Sequence, residues 1–253
     1  MKLGLRDHVP QPTDVQLSSV WSPAADSALP AAGGVRGLNW GMLGNDQYGD
    51  CYWASAAHEV MAEAHLAGRS PSFDTESVLA SYADYLGVSP TQLEQHDQGT
   101  DAREGARFRR EHGVFDVGRK GHHIGAYAFE NDPAKLPALI SALEGCTVCV
   151  ELTAACEQEF NVAEQEDRDF EWDAACLRSN VVGGHAISGV FYDERGIGVV
   201  SWGREGIIAP EYLDRFMQTT VVYFSGSTLK GGHTPQGLDR AKLLQIVNEV
   251  RGA

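Results

Sequence analysis

Basic residues are scarce in this chain: 20 lysines and arginines stand against 35 aspartates and glutamates, a formal net charge of -15 over 253 residues. That balance opposes non-specific attraction to nucleic acid or to an anionic membrane surface, and it favours basic or neutral partners. Long apolar runs are missing too. No segment reaches the length that spans a bilayer, and the opening MKLGLRDHVPQPTDVQ lacks the apolar stretch of a secretory signal, so a location in the cytoplasm, or carriage in a viral particle, is expected. Cysteine is sparse, with five residues (Cys51, Cys146, Cys149, Cys156 and Cys176); an odd number below the density of a disulfide scaffold predicts a reducing compartment and at least one free thiol. Neither internal repeats nor low-complexity tracts occur. Metal-ligand spacing is also absent: Cys146 and Cys149 form a C-x-x-C with no second ligand pair, and His58 and His65 are seven apart rather than four. No metal or other cofactor is expected.

Against these absences, 43% of the chain is hydrophobic, enough for a core without cross-links. Residues 1–37 carry Pro10, Pro12, Pro23 and Pro30 and the run AAGG, which predicts an extended arm. A helix is expected from Cys51, capped by Asp50 and closed at Gly68, with alanines on one face. Two more are expected over about 75–86 and 101–113, the arginines of the latter forming a solvated face, and a fourth between Pro133 and Gly145. After Gly145 the pattern becomes TVCVEL, HAISGVFYD, IGVVSWG and TTVVYFS. These are short β-rich runs, two of them joined by a hairpin turn at DERG. Helices first and strands later predict an α+β class with an antiparallel sheet. Residues 226–253 read as a Gly-rich linker and a terminal helix from about Leu238 to Val250.

The stretch NDQYGDCYWASAAHEV puts Cys51 on the first turn of a helix, where unpaired backbone N–H groups and the helix dipole favour a thiolate. A nucleophilic cysteine needs a base that is distant in sequence and near in space. His185, in VVGGHAISGVFYD, follows two glycines that permit close approach of a backbone, and its strand is expected to hold the ring at a sheet edge. Trp202, in VVSWGREG, is expected beside it, shielding the pair from water.

A cysteine opening a helix, a distant GGHA before a strand, a YD turn and an SWG strand together resemble the papain-like cysteine peptidases, over about residues 45–225. The GND..GDC form is most similar to the compact bacterial and bacteriophage branches. The resemblance implies a two-lobed fold within residues 38–225, a helical lobe over about 45–145 and a sheet lobe over about 146–225, with the site in the cleft between them. It implies Cys51 as nucleophile, His185 as general base, and Asn45, six residues before the cysteine, as oxyanion donor with Gln47 as the alternative. Asp50, Gly183 and Trp202 are expected to line the substrate site. The family usually has an asparagine immediately before SWG to orient the histidine; here Val200 stands there, and the orienting role passes to Ser201, to a backbone carbonyl, or to nothing. Two functions follow from the resemblance. One is a thiol hydrolase acting on peptide or isopeptide bonds of a peptide or protein substrate. The other is a weak or inactive module of the same fold, built into a larger assembly such as a viral particle or a homo-oligomer through its N-terminal arm.

Overall fold

The computed structural model describes residues 1–20 and 29–224; the expected C-terminal helix lies outside them. Eight α-helices occur among these residues: α1 (Leu17–Val20), α2 (Cys51–Leu66), α3 (Thr75–Leu86), α4 (Leu93–His96), α5 (Ala102–Glu111), α6 (Leu136–Leu143), α7 (Ala154–Gln165) and α8 (Pro210–Phe216). The strands are β1 (Gly33–Gly34), β2 (Val114–Phe115), β3 (Gly121–His122), β4 (Ala126–Glu130), β5 (Cys146–Thr153), β6 (Phe170–Trp172), β7 (Val181–Asp193), β8 (Gly196–Ser201), β9 (Arg204–Ile208) and β10 (Met217–Phe224). An antiparallel-rich sheet runs β4-β10-β5-β7-β8-β9-β6, with β1 also on β7 and a parallel pair only at β6–β9; β2 and β3 pair separately. The class is α+β, with one core on each face of the sheet.

Strand alternation explains the two lobes. Along β5, Cys146, Val148 and Val150 enter a core with α6, α7 and α8, whereas Cys149 enters a second core with α2, α3 and α5. Odd spacing sends the two thiols of the C-x-x-C to opposite faces. Helix α2 is the central element. Twelve of its sixteen residues are buried, and its alanines let it lie close against β7 and β5, as a helix apolar on nearly all sides requires.

Several expectations change in detail. Helix α3 spans the expected residues, closed by Gly87 at φ +69, and the 193–196 hairpin forms. The arginine face of α5 is not uniformly solvated: Arg109 is buried and donates to Glu59 at 2.8 Å, and Arg103 pairs with Asp14. Their carboxylate partners lie far away in sequence, so local charge pattern could not reveal them. Strand β4 and helix α6, which precede residue 146, share the core of the later strands because Ala128, Leu136, Leu139 and Ile140 face it. At His185, β7 pairs with β5 but lies beyond the end of its pairing with β8, which begins at Ser188, and the ring is fully buried.

Candidate functional site

The first turn of α2 meets the middle of β7. Cys51 is buried against Ala186, the residue after His185, in the core beneath the helical lobe. At His185 the other face of β7 carries the ring, which stacks on Trp202 with centroids 4.4 Å apart. Trp202 in turn packs edge-on to Phe160 at 4.8 Å. The indole is placed by a tight turn between β8 and β9 in which Trp202 (φ +48) and Gly203 (φ +75) both adopt left-handed backbone, as two-residue hairpin turns require. Holding a tryptophan there costs roughly 1–2 kcal/mol, strain of the kind that collects at functional sites. Gly203 is needed for a second reason: a Cβ on it would come within 2.7 Å of the Gly41 backbone.

Ser201 Oγ lies 2.8 Å from His185 Nε2. Val200, one residue earlier, faces the opposite side of β8 and packs with Trp40, Ala62, Val190, Phe191 and Ile207. The other ring nitrogen, Nδ1, is buried and has no hydrogen-bond partner, so no hydrogen bond joins it to Cys51. Burial drives the His185 pKa down to about 3 and pushes the Cys51 thiol up to about 12; backbone N–H groups of Ala186 and Gly4 offset the latter in part, while Asp50 adds to it. Both groups are neutral in this state.

Asp50 occupies the N-cap position of α2, but its side chain makes no capping bond. This corrects the expected cap: both carboxyl oxygens are buried without a partner. Desolvation raises its pKa well above the ordinary carboxylate value, the Asn45 side chain offsetting only part of it. Asn45 is buried beside it and directs Nδ2 to the carbonyls of Tyr48 (3.3 Å) and Lys2 (3.4 Å). Gln47 is exposed and reaches only its neighbour Asp46. Asn45, Asp50 and Cys51 lie together at the start of α2, and His185, Ser201 and Trp202 form a second group on β7 and the β8–β9 turn; Gly183 is on β7 two residues before His185, and Gln47 stands apart.

The cleft is filled by the chain's own residues 2–6. Leu5 pairs with Gly184 (N···O 3.2 Å), Gly4 accepts from Thr100 N–H (2.7 Å), Arg6 N–H donates to Thr100 (3.0 Å), and Lys2 N–H donates to Asn45 (3.4 Å). Leu3 packs on the sheet-lobe core and Leu5 on the helical-lobe core, so this segment bridges the lobes over Cys51. Gly49, Asp97, Gly99 and Thr100, which form the opposite wall, were not singled out from sequence. The available signal was the Gly-Thr-Asp before α5, whose Asp101 caps that helix and whose Thr100 Oγ1 accepts from Trp53 Nε1 at 3.1 Å.

The fold has counterparts among solved structures. Xylellain, a cysteine protease from Xylella fastidiosa, superposes with a TM-score of 0.66 at 16% identity, covering 88% of this chain and 96% of its own. The digestive procathepsin L2 proteinase of the Tenebrio molitor larval midgut gives 0.52 at 13% identity, covering 79% and 70%. No protein-family model matches the chain, and no curated protein sequence does. At these identities the likeness establishes the papain-like fold. No helix among the described residues is long and apolar enough to cross a membrane.

Proposed function

We propose that the protein is a papain-like thiol hydrolase that cleaves peptide or isopeptide bonds. The observation that carries this reading is His185, with Nε2 held by Ser201 and Nδ1 left without a partner, on the strand against which α2, opened by Cys51, packs. With Nε2–H donated to Ser201 Oγ, Nδ1 is the basic nitrogen, and a serine hydroxyl does for the tautomer what an amide oxygen would. In the reaction Cys51 Sγ attacks the carbonyl carbon while its proton passes to Nδ1. The oxyanion takes hydrogen bonds from Asn45 Nδ2 and the Cys51 backbone N–H. Collapse expels the amine, which leaves with the proton from Nδ1, and water attacks the acyl-enzyme with His185 as base.

The neutral thiol and imidazole belong to the covered state. Displacing residues 2–6 admits water and substrate dipoles, which lowers the desolvation that keeps both groups uncharged. The filled cleft and the missing Cys–His hydrogen bond also favour the second reading, a non-catalytic module of the same fold. The two separate in one experiment. With residues 2–6 displaced by substitution, the hydrolase reading expects an epoxide probe to label Cys51 faster than the other four cysteines, and peptide hydrolysis that Cys51→Ala abolishes. Uniform labelling by mass spectrometry and no hydrolysis would leave the module.

A further inference from the structure

Residues 2–6 occupy the cleft as a ligand would, and their fit reports what the cleft accepts. At Gly4 the segment passes between two other glycines. A Cβ on Gly4 would overlap the carbonyl of Gly49, and a Cβ on Gly99 would overlap the carbonyl of Gly4. On Gly49, a Cβ would stand 3.1 Å from the Gly4 Cα and 2.8 Å from an Asp97 carboxylate oxygen. Three backbones therefore meet without side chains beside Cys51. Backbone overlap of this kind is not relieved by a rotamer change, so a residue larger than glycine is excluded unless the wall moves.

The flanking positions are selective in a different way. Leu3 contacts Gly183, where a Cβ would stand 2.9 Å from its Cδ1, and Leu5 is 6% exposed in the helical-lobe core. Beyond the leucines, Lys2 pairs with Asp97, and Arg6 reaches Glu104 at 2.6 Å and Tyr85 at 2.7 Å. Asp97 is itself fixed by Gly49 N–H at 3.0 Å and Tyr82 OH at 2.6 Å; these partners and Lys2 together outweigh its burial and keep it ionised. An acidic residue thus waits at each end of a glycine-walled slot.

We infer that the cleft selects extended peptides with a glycine opposite Cys51, an apolar residue on each side of it and a basic residue beyond, with Gly49 and Gly99 as the specificity-determining wall. The inference rests on the hydrolase reading only for calling such peptides substrates; as a statement about ligands it stands on the groove. It also accords with a chain of net charge -15, which draws basic peptides.

The test uses the full chain and two ways of emptying the slot. Gly4→Val displaces the segment by overlap, and Lys2→Glu with Arg6→Glu displaces it by repulsion at solvent-exposed ends, which keeps the experiment informative if the first variant misfolds. In either variant, iodoacetamide labelling of Cys51, read by mass spectrometry, is expected to rise by about tenfold or more. An acetylated, amidated KLGLRD peptide added back should slow it by about tenfold, whereas KLVLRD should not. Equal protection by both peptides, or unchanged labelling in folded variants, overturns the inference. Hydrolysis is scored separately on the same peptides. Glycine-selective protection without cleavage keeps the ligand class and defeats the hydrolase, and cleavage indifferent to glycine does the reverse.

Discussion

Helix α2 carries two buried polar groupings, about two turns apart, that are built on opposite principles. Near its middle, Glu59 accepts from Arg109 at 2.8 Å and from Thr147, Tyr223 OH donates to Thr147 at 3.0 Å, Tyr52 OH meets Tyr223 OH at 3.0 Å, and the guanidinium lies 4.2 Å from the Tyr223 ring centroid. Only Arg109 Nε in this set lacks a partner. Elsewhere the reverse holds: both Asp50 oxygens at the start of α2, His185 Nδ1 on β7 and Trp202 Nε1 in the β8–β9 turn are buried and unpaired. An unpaired buried polar group costs roughly 1–3 kcal/mol. The first grouping cross-braces α2, α5 and the sheet, while the second leaves donors and acceptors for a group that arrives from outside. Under the hydrolase reading, stability and reactivity are separated along one helix.

Cutting each grouping should give opposite results, and these are the largest effects expected. Arg109→Leu leaves the Glu59 carboxylate buried without a counter-charge, held by Thr147 alone, and should cost about 3–5 kcal/mol in urea unfolding. Cys51→Ala should change stability by far less, while lowering peptide hydrolysis by roughly a thousandfold or more. A Cys51→Ala chain as unstable as Arg109→Leu would erase the distinction.

The next effect concerns β8. Because Val200 packs among Trp40, Ala62, Val190, Phe191 and Ile207, Val200→Asn should not restore a histidine partner. It should bury an amide among apolar side chains, with a loss of about 2–3 kcal/mol and no gain in hydrolysis. Higher activity in that variant would show that residue 200 can reach the ring.

Ser201→Ala removes the bond to His185 Nε2. The expected outcome is a fall in kcat/KM of roughly tenfold to a hundredfold, with kcat lowered more than KM is raised, since tautomer and ring orientation matter most in the transition state. The pH–rate profile should shift as well, and rescue by Ser201→Thr would separate a lost hydroxyl from lost packing.

Much of this frame was legible from sequence, and the illegible parts have physical reasons. Local signals set the start of α2 at Cys51, the limits of α3 and the turn at 193–196, because caps, glycines and apolar period act within a few residues. Trp202 fell beside His185 because a hairpin makes two adjacent strands neighbours. What failed was anything decided by face or by long-range partner. Whether Val200 or Ser201 meets the imidazole depends on a single step of register, which reverses every side chain on the strand. Arg109 looked solvated because Glu59 lies 50 residues away. Residues 2–6 read only as part of an extended arm, since their place depends on bare backbone at Gly49, Gly99 and Gly184, a feature with no local pattern.

The smallest effect expected is the most direct measure of how the two ends of α2 differ. Asp50 and Glu59 are both buried carboxyls raised by desolvation, but Arg109 and Thr147 draw Glu59 back down, while only the Asn45 side chain and Asp50's own backbone do so for Asp50. The folded chain therefore keeps a proton on Asp50 that the unfolded chain releases above about pH 4. From there upward the unfolded state gains by ionising, so the contribution of Asp50 to stability falls as pH rises, until the folded group ionises too. An asparagine in its place would not titrate, and the other buried groups titrate alike in both chains. The stability of Asp50→Asn relative to the native protein should then rise as pH increases from about 4 to about 7, read from urea midpoints. Glu59→Gln, which breaks a charge-assisted bond to Arg109, should be the less stable chain at pH 7. If both substitutions destabilised equally at pH 7, the Asp50 carboxyl would be paired after all, and the two groupings would be of one kind.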